Sequence, residues 1–304
     1  MTDSSNGSGP DFLCIGLQKA GTAWLFDQLE LHPDFWMPPL KELHYFDSCL
    51  KVKKLDSLLR RMQSDLARVN KARLGLNRRS LSERDVQFLV RAKAIRGAPQ
   101  DLDKYADLFA GKEGLLSGDI TPGYCTLPEN TIKIISDRFP NVKIVLLLRN
   151  PVERIWSQIN MGIRKGKLTE AEAFDWDRIK ANLSRDGFSE RSYPSEIWRR
   201  WTKFISAERM GYFFFDDLRQ RPVEFRANIL KFLGADPEKP SGGRPADYNR
   251  KSNHPKISMS QSVRDQMIDF FHEELVACAS IFGGQAKEWL SSYGLAGHAI
   301  REEA

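Results

Sequence analysis

The run Gly16-Leu17-Gln18-Lys19-Ala20-Gly21-Thr22 places one lysine, one hydroxyl and a flexible glycine where an apolar segment gives way to a helical one. Amides at a helix N-terminus lack intrahelical partners and carry partial positive charge, so this combination suits a phosphate-like anion. The order is not G-x-x-x-x-G-K-[ST], because Lys19 precedes Gly21. A plain tight turn, with Thr22 as helix cap and Lys19 in solvent, uses the same residues equally well. A second constellation joins Arg149, at the end of the apolar run Val142 to Leu148, with Ser157 in the segment that follows. Arg149 donates bidentately and stays charged at any relevant pH, so the pair suits a second phosphate; pairing with Glu153 on a helix surface is the alternative use. The third is Lys41-Glu42-Leu43-His44-Tyr45-Phe46-Asp47. In an extended segment Glu42 and His44 share a face, and Glu42 is a candidate general base. A partly dry cleft beside an anion is expected to raise its pKa, with Lys41 opposing. Ordinary surface charges on an edge segment are the competing reading.

The elements that must position these groups are legible as a pattern. Phe12 to Leu17 is a short continuous apolar run, as expected of a strand covered on both faces, and a helix carrying Trp24, Leu25 and Leu29 follows until Pro33. Val142 to Leu148 repeats the arrangement, with Pro151 suited to a first helical turn and Val152, Ile155, Ile159 and Ile163 on one face. Leu115 to Asp119 and Tyr212 to Phe215 read as further strands, and Glu129 to Phe139 as a helix. Strands alternating with helices imply an α/β fold with a central, mainly parallel sheet. Val263, Met267, Phe270, Phe271, Leu275, Cys278 and Ile281 mark one amphipathic helix closed by Gly283-Gly284 and packed on the sheet. Residues 51–96 hold fourteen Lys or Arg against four Asp or Glu, with Leu and Val at helical intervals. They read as a basic helical insertion, a solvated face being the simpler use of its charge.

The whole chain of 304 residues carries 46 Lys and Arg against 40 Asp and Glu, a net charge of +6 that favours an anionic ligand without reaching the density of a nucleic-acid coat. No nucleic-acid partner is expected. The four cysteines form no C-x-x-C pair, so neither a zinc site nor a disulfide framework is indicated, and a reducing compartment is expected. Residues 1–10 read as a disordered Ser/Gly-rich tail before one domain over 11–304. Absence of a signal peptide or a long apolar run points to a cytoplasmic protein with no membrane span. Oligomeric state is not legible.

Taken together, these pieces resemble the PAPS-dependent sulfotransferase family, in particular its heparan-sulfate-modifying and bacterial members. Ile15 to Trp24 looks like the loop that holds the 5′-phosphosulfate of 3′-phosphoadenosine 5′-phosphosulfate (PAPS), which implies cofactor contacts from Lys19, Ala20, Gly21, Thr22, Ala23 and Trp24. Val145 to Ser157 looks like the 3′-phosphate motif, with Arg149 and Ser157 as ligands. Lys41 to Asp47 is similar to a K-E-x-H-F-F-D segment, implying Glu42 as base, with Lys41, His44 and Asp47 at the acceptor. Phe215-Asp216-Asp217-Leu218 resembles the family's late strand and acidic turn, and Arg250 and Lys251 fall where a basic loop closes over the nucleotide. Ile120 departs from the lysine that heparan-type members carry before their Ser/Thr-Pro, which counts against a polysaccharide acceptor. The resemblance implies a P-loop-like three-layer fold and metal-independent sulfuryl transfer to a hydroxyl or amine of a small-molecule or carbohydrate acceptor. Catalysis would fall to Glu42, Lys19 and His44, with no metal and adenosine 3′,5′-bisphosphate as product. A P-loop phosphotransferase using ATP or GTP, and a binder of nucleic acid or acidic glycans through residues 51–96, are the rival readings.

Overall fold

The computed structural model describes residues 9–50, 52–183, 189–240, 242, 244–248 and 256–295. Four parallel strands, β1 (Phe12–Gly16), β2 (Gly118–Ile120), β3 (Lys143–Leu148) and β4 (Met210–Phe214), lie in the order β2-β1-β3-β4. The apolar runs that form β1 and β3 are buried along nearly their whole length, as parallel strands covered on both faces must be. Because β2 and β3 lie on opposite sides of β1, crossovers leave the sheet in both directions. The gap beyond the carboxyl ends of β1 and β3 is therefore a topological switch point, where open α/β sheets bind ligands. Pairing persists into the turn that follows β1, since the Leu17 amide donates to the Leu147 carbonyl at 2.8 Å.

The helix Thr22–Leu29 follows β1, and Pro151–Arg164 follows β3. The second is capped by Asn150, whose side chain accepts from the Val152 amide at 3.0 Å, and buries Val152, Ile155 and Ile159; Ile163 packs at the margin of the core. Glu129–Arg138 forms as expected. The third strand is shorter than its reading, since Leu116 makes only an isolated bridge with Phe35 before the ladder begins at Gly118. Phe215 leaves β4 to open the helix Phe215–Gln220.

Two expectations are corrected. The single C-terminal helix is two, Gln261–Phe270 and His272–Phe282, broken at Phe271, where Phe270 and Phe271 meet edge to face at 4.9 Å and Phe270 also meets Trp176. Phe282, with Trp289 of the next helix, packs on Tyr212 and Phe214 of β4, so this part of the chain does cover the sheet. The basic segment forms the helices Leu55–Ser64, Leu66–Leu74 and Glu83–Ile95, but its charge is not simply solvated. Arg73 and Arg78 both bind the buried Glu30, at 2.5 and 2.9 Å, and Arg79 binds the buried Asp85 at 2.5 Å. Leu55, Leu59, Met62, Val69, Phe88 and Leu89 join the core that holds the sheet. Of the tail, residues 1–8 lie outside the described residues, while Gly9 and Pro10 are buried and the Gly9 carbonyl accepts from Lys112. No helix among the described residues is long and apolar enough to cross a membrane.

Candidate functional site

Between β1 and its helix the chain makes a turn with Lys19 at φ 73° and Gly21 at φ 99°, both left-handed. Glycine is required at the second position: a Cβ there would lie 3.0 Å from Leu218 and 3.4 Å from Phe215, on a backbone side chains rarely adopt. Gly21, not Thr22, occupies the helix N-cap, and no side chain accepts from the first-turn amides. The capping role weighed for Thr22 is therefore corrected, and the amides at Gly21, Thr22, Ala23 and Trp24 stand at an end that intrahelical bonds do not satisfy. The Trp24 ring itself faces inward, donating to the Ala246 carbonyl at 2.7 Å and packing on Phe225, so Trp24 can offer an anion only backbone. Ala20 is buried and Ala23 exposed.

Arg149, at the end of β3, donates to the Lys19 carbonyl at 2.7 Å and lies over the Phe215 ring at 4.6 Å. Its contact with Glu153 is looser, 3.7 Å, so the helix-surface pairing is present but secondary. The structure thus ties together two motifs that are 130 residues apart. Ser157 is half-buried on the helix that Arg149 precedes. Lys19 is pushed down to about 8 by burial first, then by Arg164, Arg149, Lys256 and Lys165. Three of these four cations were not singled out from sequence. Arg164 and Lys165 were visible as a basic run closing a helix, where cations ordinarily complement the dipole. Arg250 and Lys251 lie outside the described residues.

The segment 41–47 is not extended. Glu42 at φ 62° and His44 at φ 52° are both left-handed, and this curl, not strand alternation, brings their side chains together. His44 Nε2 lies 3.7 Å from Glu42 Oε2, and His44 Nδ1 lies 2.8 Å from Asp47 Oδ2; Lys41 Nζ reaches Glu42 Oε1 at 2.6 Å. The raised pKa expected for Glu42 is overturned, since the neighbouring His44 ring and the charge of Lys41 outweigh burial and hold it at about 2. His44 is raised to about 9 by Asp47 and Glu42, so near neutral pH it is an imidazolium between two carboxylates.

What holds that curl is Asp119, fully buried in the middle of β2 and not identified from sequence as a site residue. Its Oδ1 accepts from the Thr121 hydroxyl at 2.6 Å and the Leu43 amide at 3.4 Å; its Oδ2 accepts from Tyr124 at 2.7 Å and Tyr105 at 3.2 Å. Thr121 in turn accepts from the His44 amide, and Tyr124 from the Tyr45 amide. The turn Pro122–Cys125 borders both halves of the site. Gly16 faces the Pro122 carbonyl and Cys125, while a Cβ on Gly123 would fall 2.6 Å from Asp47 Oδ2. Gly123 thus leaves room for the His44–Asp47 pair.

Comparison with known proteins bears on the family and the fold. A profile described as the sulfotransferase family matches residues 10–239. The membrane-associated sulfotransferase kil1 of Dictyostelium discoideum is 27% identical over 155 residues, which is 51% of this chain but only 23% of that protein's length. The sulfotransferase of Alicyclobacillus acidocaldarius superposes with a TM-score of 0.59 at 21% identity, covering 90% of this chain and 95% of its own. A sulfotransferase domain from the curacin biosynthetic pathway gives 0.50 at 16% identity, covering 85% and 97%. With three quarters of its length matched by one family profile, on a parallel sheet shared with solved sulfotransferases, this chain belongs to the sulfotransferase family.

Proposed function

We propose that the chain moves a sulfuryl group from PAPS onto a hydroxyl or amine of a small-molecule or carbohydrate acceptor and releases adenosine 3′,5′-bisphosphate. The observation that carries this reading is the gathering of Arg149, Arg164, Lys165 and Lys256 around Lys19 at an uncapped helix N-terminus, on the switch point of the sheet. Burial first, and then these cations, bring Lys19 down to about 8; the cations repel one another, and an anion among them relieves that repulsion. PAPS carries anionic groups at both its 3′ and 5′ ends. In this reading the turn 19–24 takes the phosphosulfate, Arg149 and Ser157 take the 3′-phosphate, and Arg250 and Lys251 close over the nucleotide.

The acceptor oxygen or nitrogen attacks sulfur as the bond from sulfur to the 5′-phosphate oxygen breaks, with the electron pair leaving on the bisphosphate. Lys19 neutralises that departing oxygen, and Glu42 receives the acceptor's proton. At about 2, Glu42 is ionised throughout the physiological range but weakly basic, so it acts by position on an acceptor whose acidity rises in the transition state. A bound anionic donor would raise both Glu42 and His44. His44, oriented by Asp47, holds the acceptor or the transferring sulfonate. Side-chain cations supply the neutralisation, so turnover is expected to persist in EDTA. A cytoplasmic location goes with this reading.

Transfer of radiolabelled sulfate from PAPS to a pool of phenols, sugars and amino sugars, in EDTA, tests it. Labelled product is expected from the wild type, with Glu42→Gln slower by about 10²–10⁴-fold and Lys19→Ala inactive. No labelled product, together with Mg²⁺-dependent phosphate transfer from ATP, would put the phosphotransferase reading first.

A further inference from the structure

The hairpin between the helices Leu66–Leu74 and Glu83–Ile95 combines features that a solvated loop does not need. Its tip, Leu74-Gly75-Leu76-Asn77, exposes both leucines, Leu74 at 61% and Leu76 at 68%. The tip is nevertheless held rigidly at its base. Arg73 on one side and Arg78 on the other bind the same buried carboxylate, Glu30, at 2.5 and 2.9 Å, and Arg244 donates to the carbonyls of Leu76 and Asn77. A carboxylate is thus buried in order to pin the two ends of a four-residue loop whose apolar side chains point into solvent.

The charge around the tip has one sign. Residues 66–81 contain five Lys or Arg and no Asp or Glu. Arg73, Arg78 and Arg79 serve the Glu30 and Asp85 clamps, whereas Arg68 and Lys71 are exposed on the outer face of the helix that leads to Leu74. Neither of those two meets a carboxylate side chain among the described residues. The nearest acid in sequence, Asp65, caps the far end of the helix by accepting from the Arg68 amide at 2.8 Å. A rigid apolar tip with a cationic collar matches two-signal attachment to a membrane surface, in which partial insertion of apolar groups and attraction to anionic headgroups are each weak and work together. Two leucines fall far short of the roughly 1,000 Å² that a specific protein contact buries, but they suffice to enter a headgroup layer.

We infer that the Leu74–Leu76 tip docks the protein peripherally on an anionic lipid surface, with Arg68 and Lys71 facing the headgroups. The test is vesicle flotation of the full chain with phosphatidylcholine alone and with a phosphatidylcholine–phosphatidylserine mixture, at low and high salt. The chain is expected to float with the anionic vesicles only and to be released by salt. Leu74→Ser with Leu76→Ser is expected to weaken binding about tenfold or more, and Arg68→Gln and Lys71→Gln about fivefold each, all with unchanged thermal melting because none of these side chains is buried. Wild-type protein that floats with neither vesicle overturns the inference, as does anionic binding that the double leucine variant leaves intact. A concentration-dependent dimer that the leucine variant abolishes would also overturn it, by assigning the tip to a second copy of the chain.

Discussion

Replacing Asp119 by Asn keeps the shape of the side chain and changes which hydrogen bonds it can accept. In the native structure its two oxygens accept four bonds, two each, from the segment and hydroxyls that hold residues 43–45. An amide keeps one oxygen and turns the other into a donor, so two buried partners lose their acceptor. At about 1–3 kcal/mol for each buried group left unsatisfied, the cost is about 2–6 kcal/mol, with hydroxyl rotation favouring the lower end. That is a large share of the roughly 5–15 kcal/mol that stabilises a typical domain, but the chain should still fold. The larger effect is expected on turnover. The Thr121 and Tyr124 hydroxyls that Asp119 orients hold the His44 and Tyr45 amides, and a shift of about 1 Å in Glu42 and His44 would slow transfer by about a hundredfold. The proposed donor clamps, Lys19 and Arg149, share no hydrogen bond or ion pair with this network among the described residues, so affinity for adenosine 3′,5′-bisphosphate should stay within about twofold, well under the 1.4 kcal/mol that a tenfold change represents. Urea unfolding gives the first number, steady-state kinetics the second and calorimetry the third. Loss of stability with unchanged kcat would refute the positioning role, and equal loss of bisphosphate binding would show that the two halves are not separable.

Three further outcomes follow from the same geometry. The imidazole of His44 should titrate near 9 by NMR and fall toward its ordinary value in Asp47→Asn; since its folded pKa is raised, the stability it contributes is present in full below about 6.5 and lost as pH rises through about 9, so the stability gap between wild type and His44→Ala should narrow over that interval. Gly21→Ala puts a Cβ 3.0 Å from Leu218 at φ 99°, and should cost about 1–2 kcal/mol in urea unfolding together with most of the bisphosphate affinity. Glu30→Gln removes one partner from a buried cluster with Arg73 and Arg78 and should destabilise the fold by about 3–5 kcal/mol; a change within error would mean the clamp is solvated after all.

Strands β1 and β3 were legible because a parallel strand buried on both faces must be a short apolar run, and the polar turns after them marked the ligand end of the sheet. That Arg149 donates to the Lys19 carbonyl was not legible, since the two motifs read in sequence as separate clamps. The conformation of Glu42 and His44 was not legible, because left-handed backbone at a glutamate and a histidine leaves no glycine or asparagine to announce it. The electrostatics of the site depended on long-range neighbours in the same way. Sequence alone predicts a raised pKa for Glu42, but the fold sets His44 beside it and lowers it; Arg78 and Arg79, in the basic run that reads as a solvated face, are bound to Glu30 and Asp85. The helix read across Val263 to Ile281 had the right face, but periodicity alone could not register the break at Phe271.

The most direct test of the proposed donor site needs no acceptor. It is the heat of binding of adenosine 3′,5′-bisphosphate, against ATP, in metal-free buffer, for the wild type and for Arg149→Ala. The expected result is binding that prefers the bisphosphate, takes up protons near pH 8 as Lys19 is drawn to its charged form, and is lost in the variant. No binding of the bisphosphate, or binding of ATP alone and only with Mg²⁺, would contradict it.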